Sequence, residues 1–284
     1  MTSTPLVVDA ASATNVGLVR ALNEDASLAR FPVFIVADGM GGHSAGDQAA
    51  QLVVATFESL VGRADVTVEE VRKLLAATQR LVSDFADQFP GGAGATLSGL
   101  VAVKEPGSPP AWLVINIGDS RTYRLVGEEL VQATVDHSHV QRLVDSGALA
   151  PEEAATHPDR NVLLRAVGDG ESEADLWLVP VAAGETFLVA SDGLTGEVTD
   201  AQIGALLASK PTPQAQVSAL VEAALAAGGR DNVTAVVVKV SGEDGAVHHP
   251  LTRVETDPAE EVTLPRGGPP EDTTNPRRGG EARR

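Results

Sequence analysis

The stretch "FIVADGMGGHSAGD", residues 34–47, joins a buried-strand pattern to a glycine-rich turn. Its apolar run ends at Asp38, and Gly39, Gly41 and Gly42 follow within four residues. Three interpretations compete for this pattern: a phosphate-cradling loop, a tight turn without a function, and a ligand site for a hard metal ion. The rest of the chain has to decide between them.

Composition and charge narrow the class of protein. The chain has 284 residues, 43% of them hydrophobic, which is enough for one large or two small domains. It has no cysteine, which excludes disulfides, thiolate metal sites and a cysteine nucleophile. The net charge is −18; residues 242–284 hold nine acidic and six basic residues, so residues 1–241 carry −15. This field repels nucleic acid and anionic lipid, and we expect neither as a partner.

The two ends of the chain show no sign of a packed core or a membrane segment. The first ten residues lack the pattern of a signal peptide, and no apolar run approaches the roughly 20 residues of a membrane helix. From residue 242 onward the sequence is rich in Pro, Gly and charge, which predicts a disordered tail over 242–284. We therefore expect a monomeric cytoplasmic protein whose folded domain covers residues 1–241.

The periodicity of the folded part indicates an α+β protein. Residues 121–134 alternate around Gly127 like a hairpin, and Thr67 with Glu70 forms a capping box before a helix. The predicted strands are 32–37, 96–103, 111–117, 175–181, 186–191 and 233–240. The predicted helices are 45–61, 68–88, 200–208 and 213–226. Because strands often follow one another through short turns, antiparallel sheets with helices outside are favoured over a doubly wound parallel sheet.

Aspartates stand where apolar strands end. Asp38, Asp119 and Asp192 each close such a run, and Asp231 stands just before the last strand. One aspartate at a strand end is usually turn chemistry, but four favour convergence on one site. Converging carboxylates repel one another unless a cation joins them, and oxygen ligands suit Mg²⁺ or Mn²⁺. Small residues around Asp38 would also let the carbonyl of Gly39 reach the ion.

Two other kinds of site fit the sequence less well. Ser44 stands where a dinucleotide-binding glycine motif needs its third glycine, and the G-K-[ST] of a nucleotide P-loop is missing. The sequence "GDSR" at 118–121 is similar to the nucleophile motif of some lipases, but no matching D-x-x-H or G-x-S-x-G is present. We therefore interpret Ser120 as a turn residue.

Eight short motifs occur in an order that resembles one enzyme family. They are "GLVRALNED" (17–25), "VADGMGGHSAG" (36–46), "GATLSG" (94–99), "IGDSRTY" (117–123), "DHS" (136–138), "RAVG" (165–168), "SDGL" (191–194) and "GGRDNVT" (228–234). Together they resemble the PPM family, the metal-dependent protein phosphatase 2C-like enzymes, especially the bacterial ones. The likeness spans about residues 8–240 and takes its specificity from the order of the eight motifs.

The resemblance implies a fold and a set of metal ligands. The fold is a four-layer αββα sandwich, in which two antiparallel sheets are flanked by helices. The cofactor is a pair of Mn²⁺ or Mg²⁺ ions between the sheets. Asp38 would bridge both ions, Asp192 and Asp231 would bind one of them, and the Gly39 carbonyl would bind the other.

The resemblance also assigns roles around the two ions. Glu24 and Asp25 would surround metal-bound waters, and Arg20 would bind the substrate phosphate as a two-pronged donor. Bacterial members often carry a third, weaker metal, and Asp119 and Asp192 match its ligand positions. Thr96 and Asn232 match positions that line the site, where packing support is as good an interpretation as direct contact.

The implied activity is hydrolysis of phosphoserine and phosphothreonine in proteins. A water or hydroxide that bridges the two ions would attack phosphorus, and the enzyme would oppose Ser/Thr kinases, with phosphorylated proteins as its partners. Residues 1–241 would be the catalytic domain, with a flap at about 136–172. Residues 242–284 would be a tail of unassigned role.

The chain departs from the family pattern at two positions. Met40 stands where eukaryotic members have a histidine thought to protonate the leaving group, and a thioether cannot donate a proton. His43, three residues later, is interpreted as a cap or packing residue. Leu164 precedes Arg165 where related sequences often have Ser or Thr, which leaves the contact of the flap with substrate open. His137 in "DHS" is interpreted as structural.

Two other functions remain open at this point. A binding module that kept the fold but lost its chemistry would lack metal ligands, and all matched ligands are present. A phosphatase dedicated to an anti-sigma-factor antagonist would keep the chemistry and act on a single partner.

Overall fold

The computed structural model describes residues 7–41, 45–170, 172–242 and 249–254. All of these residues belong to one compact unit that ends at Val254. The strands are β1 Val7–Asn15, β2 Asp25–Arg30, β3 Val33–Gly41, β4 Ala93–Ala95, β5 Leu97–Val103, β6 Ala111–Ile117, β7 Arg121–Val126, β8 Glu129–Gln132, β9 Asp175–Pro180, β10 Glu185–Ala190, β11 Val233–Ser241 and β12 Thr252–Arg253. The α-helices are α1 Ala45–Phe57, α2 Val68–Ala86, α3 His139–Asp145, α4 Pro151–Ala154, α5 Asp192–Thr195, α6 Asp200–Ser209 and α7 Pro213–Ala227.

The strands form two antiparallel sheets. The first sheet has the order β1-β11-β10-β7-β8, and the second has the order β12-β9-β6-β5-β3-β2, with β4 added beside β3. Every strand pair in both sheets is antiparallel. The predicted antiparallel α+β architecture is therefore confirmed.

Three layers of apolar side chains hold the sheets and helices together. In β3, Phe34 and Val36 point into the layer between the sheets, and Val33, Ile35 and Ala37 point into a layer beneath α1 and α2. This alternation follows from the two-residue period of a strand. A third layer lies between the first sheet and the helices α6 and α7. The order helix–sheet–sheet–helix is the four-layer αββα sandwich that the resemblance implied.

Helix starts follow local capping chemistry. The capping box of Thr67 and Glu70 is present at the start of α2, as predicted. Ser138 caps α3 with its side chain. Asp136, two residues before this cap, pairs with Arg121 at 2.7 Å. Within the described residues, none of the helices is long and apolar enough to cross a membrane.

Strand β3 is longer than predicted, and four strands, β1, β2, β4 and β12, were not predicted at all. The sequence indicated a strand end at residue 37, but β3 runs to Gly41 because β4 pairs with its last three residues. Strand β1, "VVDAASATN", is rich in small and polar residues and gives a weak apolar signal. It forms because all nine of its residues pair with β11. Strand β2 was hidden in the same way by its polar sequence "DASLAR".

The predicted tail, 242–284, needs a correction at residues 249–254. Thr252 and Arg253 form β12 at the edge of the second sheet, and the Val254 amide donates to the Leu176 carbonyl at 2.9 Å. Leu251 packs against the apolar layer between the sheets. The Pro- and charge-rich context concealed this short apolar segment. The rest of the predicted tail, except Gly242, lies outside the described residues.

Residues 249–251 also cover a buried ion pair. Arg124 of β7 and Glu185 of β10 form a close salt bridge and are 3% and 0% exposed. The Arg124 guanidinium also donates to the carbonyl oxygen of His249. A small cavity of about 70 Å³ lies beside this contact and is lined by Val126, Val131 and Leu251, among others. The segment therefore satisfies a buried charge as well as covering apolar surface.

Removing this segment is expected to lower thermal stability. A protein ending at Gly242 lacks the Leu251 and Val254 contacts and exposes one face of the Arg124 guanidinium. We expect its melting temperature to fall by about 5–10 °C relative to a protein that ends at Val254, from the loss of about 2–3 kcal/mol. Differential scanning calorimetry of the two proteins measures this. Equal melting temperatures would show that the segment contributes nothing to stability.

Candidate metal centre and active site

The fold brings five aspartates together. Asp38 lies in β3 directly opposite Asp25 of β2. Asp192 opens α5 immediately after β10, and Asp119 follows the end of β6. Asp231 stands in the turn between α7 and β11. Two of these positions belong to the first sheet and three to the second, so the site lies between the sheets, as the resemblance implied.

The aspartates raise one another's pKa values, which shows how close they are. Burial, and then the charges of Asp25, Asp192, Asp119 and Asp231, raise the pKa of Asp38 well above its usual range. Burial followed by the charge of Asp192 raises the pKa of Asp119 to about 8. Burial also raises the pKa of Asp25 to about 6, and burial and Asp231 raise that of Asp192. The cluster therefore holds more negative charge than its surroundings neutralise.

Buried hydroxyls fix the backbone on either side of this cluster. The Asp38 amide donates to Thr96 Oγ1 at 3.0 Å, and the Thr96 amide donates to the Asp38 carbonyl at 2.8 Å. Thr96 Oγ1 lies 2.7 Å from Ser120 Oγ, and both residues are buried. Thr96 thus supports the position of Asp38. Ser120 follows the bend at Asp119 but is fully buried, which agrees with a supporting role and not with a nucleophile.

Gly39 is required by a close approach of backbone. A Cβ atom at this position would lie 2.1 Å from the carbonyl oxygen of Gly46 in α1 and 2.6 Å from that of Glu24. The Gly39 amide donates to the same Glu24 carbonyl at 3.0 Å. Gly39 therefore lets helix α1 start directly beside the aspartate cluster.

Arg20 lies at the rim of the cluster. Its Nη2 donates to Asp231 Oδ2 at 2.6 Å, and its side chain is 51% exposed. The hydrogen bond to Asp231, together with the charges of Asp231, Glu24 and Asp192, raises the pKa of Arg20 against the opposing effect of burial. The guanidinium thus faces both the carboxylates and the solvent, where a substrate phosphate could approach.

Asn232 holds the loop that carries Arg20. Its Nδ2 donates to the carbonyls of Val16, at 3.0 Å, and Leu22, at 2.9 Å. Its Oδ1 accepts from the Glu24 amide at 2.9 Å. Three bonds from one side chain therefore fix both ends of the loop against the turn of Asp231. The matched position of Asn232 is explained by loop support.

One acidic residue of the site was missed by the sequence reasoning. Burial raises the pKa of Glu24. The charge of Arg20 opposes this increase, and the charge of Asp47 adds to it. Asp47 lies in the first turn of α1, and its Oδ1 is buried without a hydrogen-bond partner among the described residues. Its sequence position suggested an ordinary favourable contact with the helix dipole. Only the close packing of α1 against Gly39 reveals that it faces the site.

The predicted flap, about 136–172, is hydrogen-bonded through His137 to the turn that carries Asp119. The Gly118 amide donates to His137 Nδ1 at 3.2 Å, and the His137 amide donates to the Gly118 carbonyl at 2.9 Å. His137 Nε2 lies 3.3 Å from Asp175 Oδ2. Asp175 Oδ1 in turn accepts from Arg165 at 3.2 Å and from Arg253 at 2.9 Å. His137 has the structural position that the sequence predicts.

The two departures from the family pattern have different surroundings. Met40 lies in β3 opposite Gly94 of β4. Its thioether has no proton to donate, so it cannot replace the acid function of a histidine. His43 lies outside the described residues. Leu164 is 41% exposed, and its amide donates to the His137 carbonyl at 2.7 Å. Leu164 is thus held by its backbone, which leaves its side chain at the surface of the flap.

The donors at this site suit a hard cation. Asp25 Oδ1 and Asp47 Oδ1 are buried oxygens without partners, and the whole donor set is oxygen. Among the described residues, no three acidic or histidine side chains are already closed around one point, as a bound ion would hold them. One of the aspartates, Asp231, is instead bonded to Arg20 at 2.6 Å. The convergence of the aspartates and the unpaired oxygens of Asp25 and Asp47 favour a cation site.

Comparison with known proteins gives a consistent family. The family model described as Protein phosphatase 2C matches residues 20–227. The serine/threonine protein phosphatase PstP of Mycobacterium tuberculosis is 37% identical over 278 residues, covering 93% of this chain and 51% of PstP. The serine/threonine phosphatase stp of Listeria innocua is 34% identical over 245 residues, covering 80% of this chain and 93% of stp.

Solved structures agree with the same family. The catalytic domain of PstP in complex with two manganese ions has a TM-score of 0.76 and 35% sequence identity, and covers 84% of this chain and all of that domain. This chain spans about half of the length of full PstP. The similarity therefore covers the part of PstP that carries its metal centre.

Proposed function

This chain belongs to the protein phosphatase 2C family, and we propose that it is a metal-dependent phosphatase that removes phosphate from serine and threonine residues of proteins. The observation that carries this proposal is the gathering of Asp38, Asp119, Asp192 and Asp231 at one site, with Arg20 at its rim. The names and activities of the relatives support the reaction class.

We propose Mn²⁺ or Mg²⁺ as the cofactor. Asp38, Asp192, Asp231 and the Gly39 carbonyl would hold two ions, and Asp119 with Asp192 would hold a third, weaker one. The structure of the PstP domain with two manganese ions supports this assignment. When bound, the ions would neutralise the charge of the phosphoryl group and make a water more nucleophilic.

The residues of this chain would bind and orient the substrate. Arg20 offers a planar fork of N–H donors that matches two phosphate oxygens. Because Asn232 fixes the loop on both sides of Arg20, its backbone is already ordered before substrate arrives, and less ordering is needed on binding. Glu24 and Asp25 would orient water beside the ions, and Ser191 holds Asp25 through a bond of 2.8 Å to Oδ2.

We propose phosphorylated proteins as the partners and Ser/Thr kinases as the enzymes whose action is reversed. The protein would act as a monomer in the cytoplasm. The −15 charge of residues 1–241 means that substrates are captured by local contacts at the site and not by general attraction of anions.

The proposed activity can be tested with two substrates and one chelator. We expect the full chain to hydrolyse p-nitrophenyl phosphate and a phosphothreonine peptide with Mn²⁺. EDTA should slow both reactions at least about 100-fold, because phosphate charge then lacks its main counter-charge. Added Mn²⁺ should restore them. Undiminished turnover in EDTA would contradict the proposal, and no turnover in either condition would favour the silent binding module.

A further inference from the structure

Three large apolar side chains are exposed on the loop that carries Arg20. Leu18, Val19 and Leu22 are 68%, 69% and 44% exposed. Ten large apolar residues are exposed in the described part of the chain, and three of them fall within these five consecutive positions. Single exposed apolar residues need no explanation, but a cluster beside a proposed phosphate-binding arginine does.

Hydrogen bonds and close backbone contacts hold the loop in the orientation that exposes these side chains. The Leu18 amide donates to the Gly229 carbonyl at 2.7 Å, and the Leu18 side chain lies against Gly229. Gly17, with φ of +81°, packs its backbone against the carbonyl of Asp231. Asn232 fixes Leu22 through its carbonyl. The exposure is therefore a property of a rigid loop, and the chain keeps apolar surface at this place.

The position of the loop decides what would cover this surface. A phosphorylated residue whose phosphate lies on Arg20 brings its neighbours in the peptide within one or two residue spacings, about 4–7 Å. Val19 precedes Arg20 in sequence, and Leu22 follows two positions later. Side chains next to the phosphorylated residue would thus meet these two residues first. These apolar residues share one exposed loop with the proposed phosphate-binding arginine.

The negative charge of the protein favours substrates in which apolar, and not acidic, residues flank the phosphorylated residue. Residues 1–241 carry −15, and five aspartates and Glu24 lie behind Arg20. An acidic residue next to the phosphate would be repelled by this field, whereas an apolar one would gain by covering exposed carbon.

We propose that Leu18, Val19 and Leu22 form an apolar rim that selects phosphoprotein segments with apolar side chains adjacent to the phosphorylated residue. The inference rests on the proposed phosphatase activity and names its substrate class. The rim determines specificity by touching the residues that flank the phosphate, and it takes no part in bond cleavage.

The test uses two phosphothreonine peptides that differ only beside the phosphothreonine, one with leucine and one with serine on both sides. We expect wild-type kcat/KM to favour the leucine peptide about 10-fold. In the double variant Val19→Thr, Leu22→Asn this preference should fall to about 2-fold. Leu18 is left unchanged because it packs on Gly229. Hydrolysis of p-nitrophenyl phosphate, which has no flanking residues, should stay within 2-fold.

A matched control and a second substrate separate the possible failures. Leu81 of α2 is 44% exposed, like Leu22, but lies on a helix away from Arg20, so Leu81→Asn should keep the preference. Equal rates for both peptides in wild type would overturn the inference. The inference would also be overturned if the double variant lost p-nitrophenyl phosphate hydrolysis as much as leucine-peptide hydrolysis, because the rim would then support the site itself. If wild type fails on p-nitrophenyl phosphate, the proposed function is wrong, and the two failures are distinguishable.

Discussion

Replacing Asp38 by asparagine is expected to abolish hydrolysis and, in the presence of EDTA, to make the protein more stable. Activity should fall at least about a thousandfold, because the proposed bridging ligand loses its charge. Stability should rise because burial and the charges of four neighbouring carboxyls all raise the pKa of Asp38. An asparagine of the same shape removes this repulsion and can donate to Asp192, which Asp38 contacts.

The stability gain should depend on pH in a defined direction. A carboxyl whose pKa is higher in the folded than in the unfolded protein destabilises the fold at high pH. This cost is absent below the unfolded pKa of about 4 and grows as pH rises through the folded values. The folded pKa of Asp38 lies well above its usual range, and the folded values of its neighbours are about 6 for Asp25 and about 8 for Asp119. The difference between Asp38→Asn and wild type should therefore be small at pH 4 and largest near pH 8.

Thermal unfolding in EDTA at the two pH values measures this difference. We expect Asp38→Asn to melt about 3–6 °C above wild type at pH 8. With Mn²⁺ the order should reverse, because wild type gains more from binding the ion. The control is Asp65→Asn, since the side chain of Asp65 is 79% exposed and distant from the cluster. A destabilised Asp38→Asn protein in EDTA would mean that Asp38 is held by favourable bonds and not by a cation.

Replacing Arg20 by glutamine is the second change with a large expected effect. We expect kcat/KM for p-nitrophenyl phosphate to fall about 100-fold, because the main donor to the phosphate oxygens is lost. The affinity for Mn²⁺ should stay the same or increase, because Arg20 otherwise donates to Asp231, a proposed ligand. Activity is thus expected to fall without any loss of metal affinity, which a purely structural role of Arg20 does not predict.

Arg230 provides a matched control for Arg20. Arg230 directly precedes Asp231 in sequence, but its guanidinium does not bond to Asp231. It pairs with Glu197 through two bonds of 2.8 Å. The side chain of Arg230 is 72% exposed and takes no part in the proposed phosphate site. Arg230→Gln should change kcat/KM less than about 3-fold, the scale of an exposed ion pair. If both variants lose activity equally, phosphate binding by Arg20 is not the cause.

The sequence predicted the site because its signals are local and repeated. Asp38, Asp119 and Asp192 each end an apolar run, and strands of a sandwich bring such ends together. The resemblance added Arg20, whose isolated sequence position carries no chemical signal. Their roles toward a metal and a phosphate stay proposals until they are measured.

What the sequence did not reveal depends on contacts between distant segments. Asp47 has the sequence context of a helix start, and only the missing Cβ of Gly39 lets α1 bring it to the site. Strand β1 has few apolar residues and exists because β11 pairs with it. Residues 249–254 have the composition of a linker, yet the His249 carbonyl accepts a hydrogen bond from the buried Arg124. In each case the stabilising partner is far away in sequence.

The central claim is that aspartates from both sheets together bind divalent ions, and direct binding tests it without reference to activity. Isothermal titration calorimetry of Mn²⁺ into the metal-stripped full chain should show at least two bound ions. Asp38→Asn should lose most of this binding, and Asp65→Asn should bind as wild type does. Absence of Mn²⁺ binding to wild type, or equal binding by wild type and Asp38→Asn, would contradict the account.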